Sequence, residues 1–328
     1  MSRILSGPEA IAAGIAELSA GRPVAFPTET VYGLGADALD EQAVRAVFTL
    51  KGRPSTNPLI VHVSEIEMAR SLVREWSEQA EKIARAHWPG AVTIVLRKAE
   101  CVPDVVCAGG ETVAIRCPAH PIALALIEAF GGPIVGPSAN PSGWISPTTP
   151  EHVLAGFPEN DLVIIDGGAC HAGIESTVLD LASETPSILR PGVVGAHSLA
   201  VTLGVDIARA EPTAPGAPAR SPGVLGAHYQ PKTPCRMVET ARLGSAPASA
   251  ALIAWSIGQH PSGGLLIQLP ESASGYASGL YGSMHSADAG GAGEIWIETP
   301  PTDRDRDPRS GAIWDAVLER LARATKSG

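Results

Sequence analysis

Up to about residue 205, short apolar runs typical of β-strands alternate with stretches of helical periodicity. Strands are predicted at residues 24–26, 59–63, 92–96, 113–116, 134–135, 162–165, 176–181 and 187–190. Helices are predicted at residues 42–50, 65–87 and 121–130, and residues 1–18 have the pattern of a short amphipathic helix. This alternation predicts an α/β domain in which helices flank a twisted mixed sheet.

A proline-rich segment and a second α/β pattern follow. Residues 211–223 read EPTAPGAPARSPG and can form neither a helix nor a central strand, so a semi-rigid linker is expected. Beyond it, strands are predicted at residues 251–257, 264–269 and 294–298, and an amphipathic helix is predicted at residues 313–324. The predicted organisation is a first domain at 1–205, a Pro/Gly-rich linker at 206–233 and a smaller, Rossmann-like α/β domain at 234–328.

Composition narrows the class of protein. A length of 328 residues favours two domains, and no apolar run is long enough for a membrane span. The five cysteines include no C-x-x-C pair, which argues for a reducing cytoplasm and against a disulfide framework or a zinc site. A formal net charge of −10 disfavours a protein that holds a long nucleic acid electrostatically.

The clearest candidate chemistry lies in the loop after the helix at 42–50. Lys51, Arg53, Ser55 and Asn57 fall within one seven-residue stretch. Arginine offers a forked set of donors and lysine a point charge, which suits a polyphosphate. An ordinary solvated loop is the alternative interpretation of this stretch alone.

Several predicted strands end or begin with cationic or hydroxyl residues rather than acids. Arg116 and Arg190 end two strands, His62 lies in another, and Ser176 begins a fourth. Ser138 and Asn140 follow the strand at 134–135. Ligands of open α/β sheets collect at strand ends. Such a set suits the alignment of anionic reactants, as in phosphoryl or adenylyl transfer.

Other nucleotide and hydrolase motifs fit poorly. Residues 33–38 match G-x-G-x-x-A, but no acidic residue ends a strand about twenty residues later, so these glycines are expected to form a tight turn. No Walker A sequence is present, and GPSAN at 136–140 lacks the final glycine of a nucleophile elbow.

A series of motifs nevertheless resembles a known family. PTETVYGLG, K-x-R-P-x-x-NPL-I-V-H, WPG-x-x-T, VAIR-x-P-x-HP, PSAN-x-SG-x-x-SPT, IDGG, G-x-EST and LRPG follow one another over nearly all of residues 1–205. Together they resemble the YrdC-like domain of threonylcarbamoyl-AMP synthases. The linker, its HYQP sequence and the second α/β pattern resemble the long, two-domain form of that enzyme.

The resemblance implies a reaction and its partners. L-threonine, bicarbonate and ATP would give threonylcarbamoyl-AMP and pyrophosphate, for N6-threonylcarbamoyladenosine formation in tRNA. Mg²⁺ would be held mainly by phosphates and water. The product would pass transiently to a separate tRNA threonylcarbamoyl transferase complex. Neither stable nucleic-acid binding nor a membrane is expected.

The resemblance also implies site residues. Threonine would lie among Thr30, His62, Arg116 and Ser176, with Arg116 on its carboxylate, and Lys51 and Arg53 would act in catalysis. The segment before His228 and Tyr229 lacks the usual basic residues, so shielding of the site by these two side chains is expected to matter more than charge. The nucleotide would lie against Lys51, Arg53, Asn57, Thr112, Ser138, Asn140, Ser146, Arg190 and Tyr229.

Two alternatives use the same fold. One is a carbamoyltransferase that makes carbamoyl-adenylate from carbamoyl phosphate, although the paired C-x-x-C zinc fingers usual in such chains are missing. The other is an RNA-binding module, which the net charge disfavours.

Overall fold

A computed structural model describes residues 1–210, 229–302 and 307–325. The first domain is built on a mixed sheet of eleven strands among these residues, in the order β1-β8-β2-β3-β7-β4-β6-β5-β9-β10-β11. Its elements are β1 (Arg3–Leu5), α1 (Gly7–Ser19), β2 (Val24–Phe26), β3 (Gly33–Asp37), α2 (Glu41–Lys51), β4 (Ile60–His62), α3 (Ile66–Arg70), α4 (Glu78–His87), β5 (Val92–Arg97), β6 (Thr112–Arg116), α5 (Pro121–Phe130), β7 (Ile134–Val135), α6 (Pro150–Gly156), β8 (Val163–Ile165), β9 (Thr177–Asp180), β10 (Ser187–Arg190), α7 (Ala196–Leu203) and β11 (Ala208–Arg209).

The second domain has a parallel four-stranded sheet in the order β12-β15-β13-β14. Helices α8 and α9 pack on this sheet and on each other. The described residues form no helix with the length and apolar character needed to cross a membrane. The elements are β12 (Cys235–Val238), β13 (Ala250–Ala254), β14 (Leu266–Gln268), α8 (Ala273–Ala289), β15 (Glu294–Glu298) and α9 (Pro308–Ala324).

The mixed α/β class predicted for both domains is confirmed, and most predicted elements are present within a few residues. The single helix predicted at 65–87 is wrong, because the chain leaves α3 and begins α4 anew at Ser77, whose side chain accepts a hydrogen bond from the Ala80 amide. Between the helices, the Arg74 amide donates to the Arg97 carbonyl and the Ala99 amide donates to the Leu72 carbonyl. Pairing with the end of β5 therefore replaces helix continuation.

The tight turn predicted for the glycines of residues 33–38 is also wrong. Gly33 and Gly35 lie in β3, which pairs antiparallel with β2. A Cβ atom at Gly33 would lie 2.8 Å from the ring of Phe26, and one at Gly35 would lie 3.1 Å from it. These glycines are needed because an aromatic ring lies across the strand, not because the chain reverses there.

The two domains share a hydrophobic core. Val31, Ile145 and Ile174 of the first domain belong to the same buried cluster as residues of α8 and α9. Most of the predicted linker, including His228, lies outside the described residues. On either side of that gap, β11 pairs with β10 in the first sheet, and β12 pairs with β15 in the second.

Candidate active site

The sheet topology brings the predicted strand-end residues to one edge. Strands β4 and β6 are parallel, so His62 and Arg116, at their carboxyl ends, are register partners. Strand β9 begins beside the start of β5, and β10 runs antiparallel to β9, so Arg190 returns to the same edge as Ser176. Residues far apart in the sequence therefore meet where β4, β6 and β10 end.

These side chains enclose a small pocket. Its volume is about 40 Å³, far below the roughly 300–1,000 Å³ of ordinary ligand pockets. Tyr229, near the end of the predicted linker, lines one side of the pocket. The lining residues are Thr30, Val31, Arg53, Ile60, His62, Arg116, Gly136, Pro137, Ser138, Glu175, Ser176, Arg190 and Tyr229.

The loop after α2 directs Arg53 into this pocket. The helix ends at Gly52, whose φ of 60° is left-handed and therefore favours glycine. Arg53 then donates from Nε to the Asn57 carbonyl at 3.2 Å and from Nη2 to the Pro58 carbonyl at 3.0 Å. Burial lowers the pKa of the Arg53 guanidinium to about 10, so the group remains charged near neutral pH.

Lys51 has a different environment from Arg53. Its ammonium donates to the backbone carbonyls of Ser138 and Asn140. Burial, followed by the charge of Arg53, lowers the pKa of Lys51 well below its usual range. In this geometry Lys51 fixes the turn after β7 and contacts the backbone of Ser138, a residue of the pocket wall, without lining the pocket itself.

His62 and Arg116 form the neighbouring wall. Nη2 of Arg116 lies 2.6 Å from Oε1 of Glu29, and Nε of Arg116 donates to the Gly90 carbonyl. Burial, followed by the charge of Arg116, lowers the pKa of His62 well below its usual range, so the imidazole is neutral. Gly136 makes room for this ring, because a Cβ there would lie 2.6 Å from Nδ1 of His62.

Hydroxyl groups and a third arginine complete the pocket. Ser176 Oγ lies 2.8 Å from Thr93 Oγ1 and 3.3 Å from Nη2 of Arg190, which also donates to the Ser176 carbonyl at 3.0 Å. Thr30 is fully buried, and its hydroxyl lies 2.9 Å from that of Thr28. The pocket therefore combines three buried guanidinium groups with hydroxyls and a neutral imidazole.

Glu175 connects this pocket to the second domain. Its carboxylate accepts hydrogen bonds from Ser146 Oγ at 2.6 Å, from the Tyr281 hydroxyl at 3.1 Å and from Nε of Arg320 at 3.1 Å. Burial alone raises the pKa of Glu175, but the charges of Arg320 and Arg190, with the bond from Ser146, outweigh it and lower the pKa to about 2. Helices α8 and α9 thus supply Tyr281 and Arg320 to the edge of the site.

Tyr229 is held by the same two side chains. Its ring stacks on that of Tyr281, with centroids 5.5 Å apart, and the Arg320 guanidinium lies 5.9 Å from its centroid. The backbone of Tyr229 has a φ of 66°, a left-handed conformation that is uncommon for a residue with a bulky side chain. Contacts with the second domain therefore hold Tyr229 over the pocket.

Eight of the predicted site residues line the pocket, and five do not. Lys51, Asn57 and Ser146 bind residues of the wall directly. Asn140 instead lines a neighbouring cavity of about 390 Å³ together with Trp144, His152 and Lys232. Thr112 lies at the start of β6, four residues before Arg116, where it pairs with Arg97. The eight that line the pocket are Thr30, Arg53, His62, Arg116, Ser138, Ser176, Arg190 and Tyr229.

The sequence interpretation assigned no role to four residues of this region. Glu29 and Glu175 occur inside the motifs PTET and G-x-EST, so those motifs were the available signal. Tyr281 and Arg320 lie in the second domain, where no motif marked them. Only the packing of α8 and α9 against the first domain brings them to the site.

Both domains match known protein families. A family model described as Telomere recombination, which groups Sua5, YciO and YrdC proteins, matches residues 16–192. A second, described as Threonylcarbamoyl-AMP synthase, C-terminal domain, matches residues 194–326. In structure, the chain is similar to a crystallised Pyrococcus abyssi Sua5 complexed with L-threonine, with a TM-score of 0.87, 34% identity and coverage of 99% of this chain and 97% of that one.

Two curated relatives agree with these matches. The chain is 47% identical to a threonylcarbamoyl-AMP synthase of Pyrococcus abyssi over 71% of its own length and 68% of that protein. It is 44% identical to one of Bacillus subtilis over 70% of its own length and 66% of that protein. On these grounds, together with the two matched domains, the chain belongs to the two-domain threonylcarbamoyl-AMP synthase family.

Proposed function

We propose that this protein synthesises L-threonylcarbamoyl-AMP from L-threonine, bicarbonate and ATP, with release of pyrophosphate. The observation that carries the proposal is the convergence of Arg53, Arg116 and Arg190, all nearly fully buried, at one sheet edge. Guanidinium groups that converge on one pocket offer positive charge and forked sets of donors, which suit a carboxylate and a polyphosphate. The names of the curated relatives support the same reaction.

Each of these side chains has a role in the proposed reaction. Arg116 binds the threonine carboxylate, while the hydroxyls of Thr30 and Ser176 and the neutral His62 are polar partners for the rest of the amino acid. The threonine ammonium first loses a proton to solvent; the free amine then forms a bond to the bicarbonate carbon and water leaves, which gives a carbamate. A carbamate oxygen then attacks the α-phosphorus in line, and the bond to pyrophosphate breaks.

Positioning and charge supply most of the catalysis in such a transfer. Arg53 and Arg190 face the developing phosphate charge. Lys51 acts on the nucleotide side through the turn that carries Ser138 and Asn140. Asn57, Ser146 and Tyr229 are further proposed nucleotide contacts. Thr112 is also a proposed contact, but it lies at the opposite end of β6 from Arg116, so only a distant part of the nucleotide would reach it.

Mg²⁺ fits this site as an ion carried by the nucleotide. The residues that the structure describes include no cluster of His, Cys, Asp and Glu that could hold a metal ion. The two carboxylates nearest the pocket, Glu29 and Glu175, both face arginine. Mg²⁺ bound mainly by phosphates and water would neutralise charge on the leaving pyrophosphate. We further propose that the product passes to a tRNA-modifying transferase.

The test is pyrophosphate release from ATP, with threonine and bicarbonate omitted in turn. Release should require both, because neither alone supplies the carbamate nucleophile. Undiminished release when carbamoyl phosphate replaces both would instead support a carbamoyltransferase.

A further inference from the structure

Glu29 lies near the pocket, and its carboxylate has no substrate contact in the proposed reaction. It follows β2 in the turn that carries Thr28 and Thr30, and its side chain is 14% exposed. Both carboxylate oxygens are buried, and neither has a hydrogen-bond partner within the described part of the chain. Nη2 of Arg116, although 2.6 Å away, is likewise without a hydrogen bond among those residues. The two groups attract by charge while their hydrogen-bonding capacity stays open.

The charges around this pair restrict what can bind. Arg53, Arg116 and Arg190 line the pocket. The other carboxylate of the pocket, Glu175, already accepts bonds from Ser146, Tyr281 and Arg320. A positively charged ligand group entering this region would be repelled unless it met Glu29.

An amino acid carries such a group. Its carboxylate suits Arg116, but its α-ammonium, one carbon away, must lie within a few ångströms of the same guanidinium. Burying an ammonium without an anionic partner is strongly unfavourable. A carboxylate adjacent to the arginine removes this penalty, and its two open oxygens accept the ammonium hydrogens.

Glu29 is also reachable from a second, larger cavity. This cavity has a volume of about 830 Å³ and is lined by Glu29, Ala91, Ala172 and Val194, with Ile313 from the second domain. The pair of Glu29 and Arg116 therefore stands between this cavity and the small pocket. An amino acid approaching from the larger side meets Glu29 first, and Arg116 lies 2.6 Å behind it.

We propose that Glu29 is the subsite for the α-ammonium of the amino-acid substrate and that, with Arg116, it makes the site specific for a zwitterion. The proposal rests on the proposed function, since it deepens the threonine assignment. The opposing possibility is that Glu29 occupies Arg116 and competes with the substrate carboxylate. If Glu29 binds the ammonium, removing its charge should weaken threonine binding. If Glu29 competes with the substrate carboxylate, removing its charge should strengthen threonine binding.

The experiment compares two ligands and two proteins by calorimetric titration of the full chain. The ligands are L-threonine and (R)-3-hydroxybutanoate, which has hydrogen in place of the ammonium group. The proteins are the unchanged chain and Glu29→Gln, which preserves shape but removes the charge. Glu81→Gln is the matched control, because Glu81 is a similarly shielded carboxylate, 21% exposed, paired with Arg70 and Arg85 on another part of the surface.

We expect Glu29→Gln to weaken threonine binding about ten- to a hundredfold, the usual effect of losing a charged hydrogen-bond partner. Binding of 3-hydroxybutanoate should be unchanged or tighter, and Glu29→Asp should recover part of the threonine affinity. Thermal unfolding of each variant checks that the fold is intact.

Equal weakening of both ligands, tighter threonine binding, or no change at all in Glu29→Gln would overturn the ammonium assignment. These outcomes leave the proposed reaction standing if pyrophosphate release in the unchanged protein still requires threonine. Failure of the unchanged protein to bind threonine would overturn both proposals.

Discussion

The arginines of the pocket differ in what already engages them, and this difference separates their expected roles. Arg53 donates to the Asn57 and Pro58 carbonyls and Arg190 donates to the Ser176 carbonyl, which orients both guanidinium planes. Arg116 instead lies against the carboxylate of Glu29. Its ligand must therefore be compatible with a neighbouring anion, as an amino acid is and a polyphosphate is not.

This contrast gives a prediction for two single substitutions. Arg116→Ala should weaken threonine binding by roughly 1.5–3 kcal/mol, about ten- to a hundredfold, whereas Arg53→Ala should mainly reduce ATP use and turnover. Steady-state pyrophosphate release with each substrate varied gives the two KM values and kcat. If Arg116→Ala leaves threonine unaffected but abolishes ATP binding, the assigned roles are wrong.

At the scale of elements, the start of β9 is tied to α9 by a buried ion pair. Glu175 precedes β9, and Arg320 lies on the face of α9 that packs against the first domain. Arg320 also donates to the Pro191 carbonyl at 2.6 Å, just after β10. The start of β9 and the end of β10 thus both depend on one helix of the second domain, because Arg320 bonds to Glu175 and to the Pro191 carbonyl.

The pKa of Glu175 predicts how stability depends on pH. Its pKa is about 2 in the folded protein, below the usual value of about 4.3. A depressed carboxyl pKa contributes stability that is complete above the unfolded value and is lost as pH falls through the folded one. Glu175→Gln should therefore lower the free energy of unfolding near pH 7 by roughly 3 kcal/mol.

The difference between Glu175→Gln and the unchanged protein should shrink between about pH 4.3 and pH 2. Urea unfolding at several pH values measures it. Glu111→Gln is the control, because Glu111 is 76% exposed and its ion pair with Arg97 should contribute little. A constant difference across this pH range would show that charge is not the cause.

At the scale of the whole molecule, the second domain completes the first. Its helices cover Val31, Ile145 and Ile174, and Tyr229 closes a pocket of about 40 Å³. ATP does not fit in so small a space, so the pocket must open before the nucleotide binds. We infer that Tyr229 acts as a lid, which would exclude water from a labile mixed anhydride.

Removing everything after residue 210 tests this arrangement. Three of the hydrophobic clusters lie wholly within the first domain, so the shortened chain should fold. It should melt at a lower temperature because Val31, Ile145 and Ile174 lose their cover, and it should lose most synthesis because the site loses Tyr229 and Arg320. Circular dichroism and pyrophosphate release measure these outcomes.

Full-length Tyr229→Ala separates the lid from the domain. It should lose part of the synthesis, and because Tyr229 is 1% exposed it should also lose stability, by about 3–5 kcal/mol. Tyr229→Phe, which keeps the ring that stacks on Tyr281, should retain most of the synthesis and most of the stability. Full activity in the shortened chain would disprove the lid and leave the second domain without a role in the chemistry.

The sequence alone determined those features that depend on neighbouring residues. Periodicity located most helices and strands, and residue type marked Arg53, His62, Arg116 and Arg190 as candidates before any geometry was known. Tertiary packing alone decided the break before Ser77 and the role of the glycines in β3. It also decided the contacts of Glu29 with Arg116 and of Glu175 with Arg320, which is 145 residues away. Local pattern cannot specify such pairs, because the charge that each group meets is set by which elements pack together.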